Sequence, residues 1–240
     1  MLEQGGTIAR EGAGTLTEAT HSEGVELRRD AEGLALVGDG MVLRADFTRL
    51  LPRLRPDRLS RELLVRAARV RGAETPVAVD ATAGLGEDSL LLAATGFSVI
   101  MYEKDPVIAA LLQDALGRAA AVPELAPIVA RMELVKGDSI AGLRELAASG
   151  PAPDVVFLDP MFPERTKSAA VKKKFQLLHR LERPCDDEAE LLGAALAARP
   201  RKVVIKRPPK GPLLAGARPS HQLSGKAVRY DVIVVPPRTR

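Results

Sequence analysis

From residue 77 onward, short apolar runs alternate with amphipathic stretches along this 240-residue chain. Val77–Asp80 predicts a strand and residues 87–95 a helix. Further strands are predicted at Ser98–Tyr102, Met132–Val135, Val155–Leu158 and Lys202–Ile205. Helices are predicted from Pro106 to about Ala120, near 139–149 and near 186–198. Asp105 fits an N-cap, and Pro106 fits the first helical position, where a missing N–H costs nothing. The runs at 77–80, 155–158 and 202–205 suit strands buried on both faces. His221–Leu223, a Ser224-Gly225 turn and Val228–Val235 read as a closing antiparallel hairpin.

The first third of the chain reads differently. Val25 to Phe47 forms three short strand patterns, separated by Gly33 and by the Gly38-Asp39-Gly40 turn. Ser60 to Arg71 predicts a helix with Ser60 as N-cap and Leu63, Leu64, Ala67 and Ala68 on one face. Residues 1–23 show no apolar periodicity. The expected organisation is a mobile segment 1–23, a small β appendage 24–59 and a doubly wound α/β domain 60–240. A parallel sheet closed by a terminal hairpin is, by fold analogy, the Rossmann-like class I methyltransferase variant of that architecture.

Composition adds exclusions. No apolar run is long enough to span a bilayer, and Met1 to Gly24 lacks the basic start and apolar stretch of a secretory signal. Cys185 is the only cysteine and the three histidines are scattered, so no metal and no internal disulfide are expected, and a cytoplasmic location is the simplest. The net charge is +4, but it is unevenly spread. Nine arginines fall between Arg44 and Arg71, against Asp46, Asp57 and Glu62. Two more basic stretches lie at 164–183 and 199–210. Any one is an ordinary solvated face; three around one site favour a polyanionic partner.

The candidate chemistry begins at Asp80-Ala-Thr-Ala-Gly-Leu-Gly86, between a strand and a helix. Gly84 and Gly86 let backbone approach a ligand, and the helix start favours an anionic group. A structural turn would use the same glycines. Glu103, at the end of the next strand, is placed to accept both hydroxyls of a ribose. Asp138 and Ser139 end the third strand of the alternating region; Asp138 suits either an adenine amino group or the helix cap, and both hold if Ser139 is the cap. Phe157-Leu-Asp-Pro-Met-Phe-Pro163 then resembles the Asp/Asn-Pro-Pro-aromatic motif of enzymes that methylate exocyclic base amines. Such an amine is a poor nucleophile, because its lone pair is delocalised into the ring. Asp159 and the Pro160 carbonyl can accept its two N–H bonds, and Phe162 can stack on the base. A tight turn with Phe162 in the core is the plainer alternative.

Taken together, residues 80–86, Asp88, Glu103 with Lys104 and Pro106, Leu-Asp-Pro-Met-Phe-Pro (158–163), Lys-Ser-Ala-x-Val-Lys-Lys (167–173) and Val-x-Lys-Arg-Pro (204–208) resemble the small-subunit ribosomal RNA guanine-N2 methyltransferases of the RsmJ type. The resemblance covers about residues 77–235. It implies S-adenosylmethionine as donor and a guanosine amine of 16S RNA, free or in the small ribosomal subunit, as acceptor. It implies cofactor contacts at Glu87, Asp88, Glu103, Lys104, Asp138, Ser139 and Asp159, alongside Asp80, Gly84 and Gly86. Phosphate contacts are expected from Lys167, Lys172, Lys173, Lys174, Lys206 and Arg207. The competing readings are methylation of another RNA or DNA base amine, and an RNA-binding protein of this fold without catalysis.

Overall fold

The computed structural model describes residues 25–160 and 187–236. Among them a three-stranded antiparallel sheet comes first: β1 (Val25–Asp30), β2 (Gly33–Gly38) and β3 (Met41–Leu43). The chain then makes a 3-10 turn at Phe47–Leu50 and three short helices, α1 (Leu51–Leu54), α2 (Pro56–Leu59) and α3 (Leu63–Ala68). The doubly wound part follows: β4 (Val77–Asp80), α4 (Glu87–Ala94), β5 (Ser98–Glu103), α5 (Pro106–Ala119), α6 (Ala126–Val129), β6 (Met132–Lys136), α7 (Ser139–Ser149) and β7 (Val155–Leu158). After α8 (Glu188–Ala197) come β8 (Lys202–Arg207), β9 (His221–Ser224) and β10 (Arg229–Val234).

These seven strands form one sheet in the order β6-β5-β4-β7-β8-β10-β9. The first five are mutually parallel, and β10 runs antiparallel to both β8 and β9. Strand alternation sends successive side chains to two cores. Ala78, Met101, Phe157 and Val204 join Leu64, Leu90 and Leu112 on one face. Val79, Val156, Leu158 and Ile205 join Leu143 and Leu191 on the other. Helices cover both faces, which explains the nearly unbroken apolar reading of β4 and β7.

The predicted strands and the major helices all form, mostly within two residues of their expected ends. Asp105 caps α5, accepting from the N–H groups of Val107 and Ile108. Two expectations need correction. The helix expected over 60–71 shrinks to α3 (Leu63–Ala68), because Glu62 adopts extended backbone (ψ 130) and turns its carboxylate to Arg53, and Arg69 (ψ 122) leaves helical backbone at the other end. Ser60 closes α2 instead of capping a helix. The strand at 202 also continues two residues beyond Ile205, to Arg207.

The small sheet is welded to α5. Asp114 accepts from Arg29 (2.7 Å), from the Leu34 N–H (3.0 Å) and from Arg118 (2.7 Å), and Arg118 also donates to the Ala45 carbonyl. Val25, Leu36 and Leu43 bury themselves against Val107, Ile108 and Leu111.

Candidate active site

A cleft of about 700 Å³ opens at the carboxyl ends of β4, β5, β6, β7 and β8. This is where an open α/β sheet binds its ligands. Its centre is the loop after β4. Asp80 is buried, and its carboxylate accepts from the Ser89 hydroxyl (2.6 Å) and the Thr82 N–H (3.1 Å). Burial pushes its pKa up to about 7, despite those two hydrogen bonds. Gly84 and Gly86 have φ of 53° and 77°, a region that favours glycine. A side chain at Gly86 would also collide with Leu112, at 2.6 Å. Gly86 caps α4, so the first-turn N–H groups of that helix open beside the cleft.

Glu103 does two things at once. Its carboxylate accepts from the Gly84 N–H (2.9 Å) and the Asp105 N–H (2.8 Å), bracing the glycine loop against the end of β5. Burial raises its pKa, against the pull of those two bonds. It still lines the cleft, as do Lys104, Asp138 and Ser139. The cap of α7 is Asp138 itself, accepting from Ile140 and Ala141, and not Ser139 as the dual-role reading required.

Asp159 follows β7. Its N–H donates to Thr82 Oγ1 at 2.7 Å, tying the turn to the glycine loop. Lys206 Nζ lies 2.9 Å from Asp159 and 2.6 Å from Asp88. Burial raises the Asp159 pKa, and Lys206 opposes it. Burial also disfavours the lysine charge, but the carboxylates of Asp88 and Asp159 outweigh it and hold the ammonium well above the ordinary lysine range. Tyr230 faces Lys206 across the β8–β10 pairing and lines the same wall. Burial, then the Asp88 charge, raises its phenol.

Lys206 and Arg207 were expected together on an RNA-facing rim, and the structure corrects both. The longer β8 carries its alternation through them. Lys206 therefore points into the cleft, while Arg207 is buried on the opposite face, with Nη2 2.9 Å from Glu188. Phe162, Lys167, Lys172, Lys173 and Lys174 lie outside the described residues. The structure brings the other expected positions, Asp80, Gly84, Glu87, Asp88, Glu103, Lys104, Asp138, Ser139, Asp159 and Pro160, around one cleft.

The sequence reading missed Thr82, Arg53 and Glu62; Tyr230, buried in the core, lines the cleft as well. Arg53 and Glu62 form a two-pronged ion pair (2.8 and 2.9 Å) in the cleft wall. Its hydrogen bonds to Glu62 raise the Arg53 pKa. Alternation past residue 205 would have signalled the inward turn of Lys206; nothing local signals the Arg53–Glu62 pair.

Carboxylates outnumber cations in the cleft lining by eight to three. That composition suits a ligand bearing fixed positive charge beside a nucleoside. Among the described residues, no group of His, Cys, Asp and Glu is arranged to hold a metal ion, and no helix is long and apolar enough to cross a membrane.

A parallel sheet ending in this antiparallel strand, with an acidic cleft at its carboxyl edge, defines an S-adenosylmethionine-dependent methyltransferase of class I. The family described as "Putative SAM-dependent methyltransferase" matches residues 15–235. The ribosomal RNA small subunit methyltransferase J of Chromohalobacter salexigens is 42% identical over 233 residues, covering 94% of this chain and 91% of its own. That of Thioalkalivibrio sulfidiphilus is 48% identical over 176 residues, 73% of this chain and 69% of its own. The crystal structure of a SAM-dependent methyltransferase from Neisseria gonorrhoeae superposes with a TM-score of 0.74 at 32% identity, covering 92% of this chain and 87% of that one. The chain belongs to the ribosomal RNA small subunit methyltransferase J family, and its cofactor is S-adenosylmethionine.

Proposed function

We propose that this protein methylates the exocyclic N2 amine of a guanosine in 16S ribosomal RNA. The observation that carries the proposal is Asp159, a carboxylate fixed at both ends inside the cleft. Its backbone is anchored on Thr82 and one oxygen is held by Lys206. The names of the relatives support ribosomal RNA as substrate. The family resemblance supports guanine N2.

The cleft fits the cofactor by its donor set. Glu103 is placed for the ribose hydroxyls, and Asp138, although it caps α7, still lines the cleft with lone pairs to spare for the adenine edge. The first turn of α4 offers N–H groups to a carboxylate, and the acidic lining complements a sulfonium and an ammonium group. When bound, S-adenosylmethionine supplies an electrophilic methyl group. The protein's own part is alignment. The oxygen of Asp159 that Lys206 leaves free accepts one N–H of the amine, and the Pro160 carbonyl accepts the other. That turns the nitrogen lone pair toward the donor. As the new C–N bond forms, the methyl–sulfur bond would break and leave a neutral thioether; the nitrogen becomes strongly acidic, and Asp159 receives its proton and passes it to water. Lys206 keeps Asp159 ionised beforehand, so the carboxylate acts as an acceptor rather than a donor.

The test is mass mapping of 16S RNA from a strain lacking the gene, before and after incubation with purified protein and cofactor. One added methyl group on a guanosine N2 is expected. An acceptor on another base, or unmodified RNA, would overturn the assignment.

A further inference from the structure

The chain between Arg53 and Glu62 is closed into a short loop by the ion pair that lines the cleft. Leu59 holds this loop down against Leu91 of α4, with Leu54 packed beside it. Its outer side carries Arg55, Arg58 and Arg61, all exposed. Arg58 N–H and Leu59 N–H both donate to Arg55 O (2.9 and 2.8 Å), and Arg61 N–H donates to Arg58 O (2.9 Å), so the segment is a tight helical turn with one further turn after it. The three arginines therefore follow one another along the short exposed segment between two residues of the cleft wall. None forms an ion pair among the described residues. The one acid among them is Asp57, also exposed.

Unpaired arginines at an enzyme's mouth are a docking site for a polyanion. We propose that Arg55, Arg58 and Arg61 form a phosphate ladder that grips the RNA strand beside the target nucleotide. This inference rests on RNA being the substrate. It replaces the rim expected from Lys206 and Arg207, which the fold turns inward. The rigid Arg53–Glu62 closure fixes the ladder's distance from the cleft, so backbone contacts set the register in which one base enters.

The geometry also supplies a control. Lys202, at the start of β8, donates to the carbonyl of Arg69, and Arg201 donates to that of Arg71. This places Arg69 and Arg71 at the amino end of β8, opposite the cleft. The experiment compares Arg55→Gln/Arg58→Gln/Arg61→Gln with Arg69→Gln/Arg71→Gln. Binding to a 16S RNA fragment and to the small subunit is measured across salt concentrations, with calorimetric binding of S-adenosylmethionine as the check on folding. The triple variant should bind both RNA forms roughly tenfold or more weakly at 0.1 M salt, and its salt slope should fall by about 2 to 3. Its KM for RNA should rise while turnover at saturating RNA is kept. The double variant should match the parent. Wild-type affinity and slope in the triple variant would overturn the ladder while leaving the methyltransferase reading intact. So would a loss confined to the assembled subunit, which would signify a protein contact. If the parent itself neither binds nor methylates RNA, the reading beneath the ladder fails instead.

Discussion

The two walls of the cleft hold their carboxylates by different means. On the wall built from β4, β5 and β6, Asp80, Glu103 and Asp138 are held by uncharged donors: the Thr82 N–H and Ser89 hydroxyl, the Gly84 and Asp105 N–H groups, and those of Ile140 and Ala141. On the wall built from β7, β8, α1 and α3, Asp159 and Glu62 are held by cations, Lys206 and Arg53. Backbone and hydroxyl donors fix a carboxylate without a neutralising cation, although burial leaves Asp80, with its pKa at about 7, only partly ionised at neutral pH. That suits a wall meeting a cationic cofactor. A cationic partner fixes a carboxylate and neutralises it, which suits a wall meeting a neutral base and its phosphates. The first arrangement survives most substitutions, whereas the second depends on two side chains.

The contrast can be broken in graded steps. Asp159→Ala should lower transfer by about a thousandfold, because acceptor and proton sink vanish together. Calorimetry should show S-adenosylmethionine still binding. Lys206→Met should lower turnover near pH 7 by about a hundredfold, through a misplaced Asp159. Without the ammonium, burial and the Asp88 charge act on Asp159 with only Arg207 opposing, and its pKa rises further. Transfer requires the ionised form, so the acidic limb of the pH–rate profile should move to higher pH, and Lys206→Arg should move it less. Glu103→Gln should weaken cofactor binding by about tenfold while sparing turnover at saturation. The smallest effect on turnover is expected from Asp80→Asn, which acts on stability instead. The folded pKa of Asp80, about 7, lies above its unfolded value. Its contribution is therefore full below about pH 4 and is lost as pH rises through 7, a change on the order of 4 kcal/mol at most. Urea unfolding at pH 5 and pH 8 should show this loss in the parent and its absence in the variant.

The first wall was legible because its logic is local. The glycines, Glu103 and Asp138 sit at strand ends, and most partners lie two or three residues away; the exceptions are Ser89, in the first turn of α4, and the Glu103–Gly84 bond across adjacent strands. Asp159 was legible from its turn motif. The second wall was not. Arg53 meets Glu62 only because Glu62 leaves helical backbone, and a helical reading of 60–71 hides that. Lys206 was assigned outward because the strand was ended at Ile205, two residues before its hydrogen bonds stop. Asp138 shows a subtler limit. A capping aspartate and a serine beside it compete for one role, and only geometry decides between them.

Gly86 meets more than Leu112. Phe47 lies 3.2 Å from where a side chain at Gly86 would begin, and Leu43 of β3 lines the cleft. Part of the floor under the glycine loop thus comes from the first small sheet and the turn that follows it, alongside Leu112 of α5. A recombinant fragment starting at Ser60 would keep every strand of the large sheet and lose that floor. It is expected to fold with an unsupported loop and little cofactor affinity, so the shortest useful expression boundary lies before Val25.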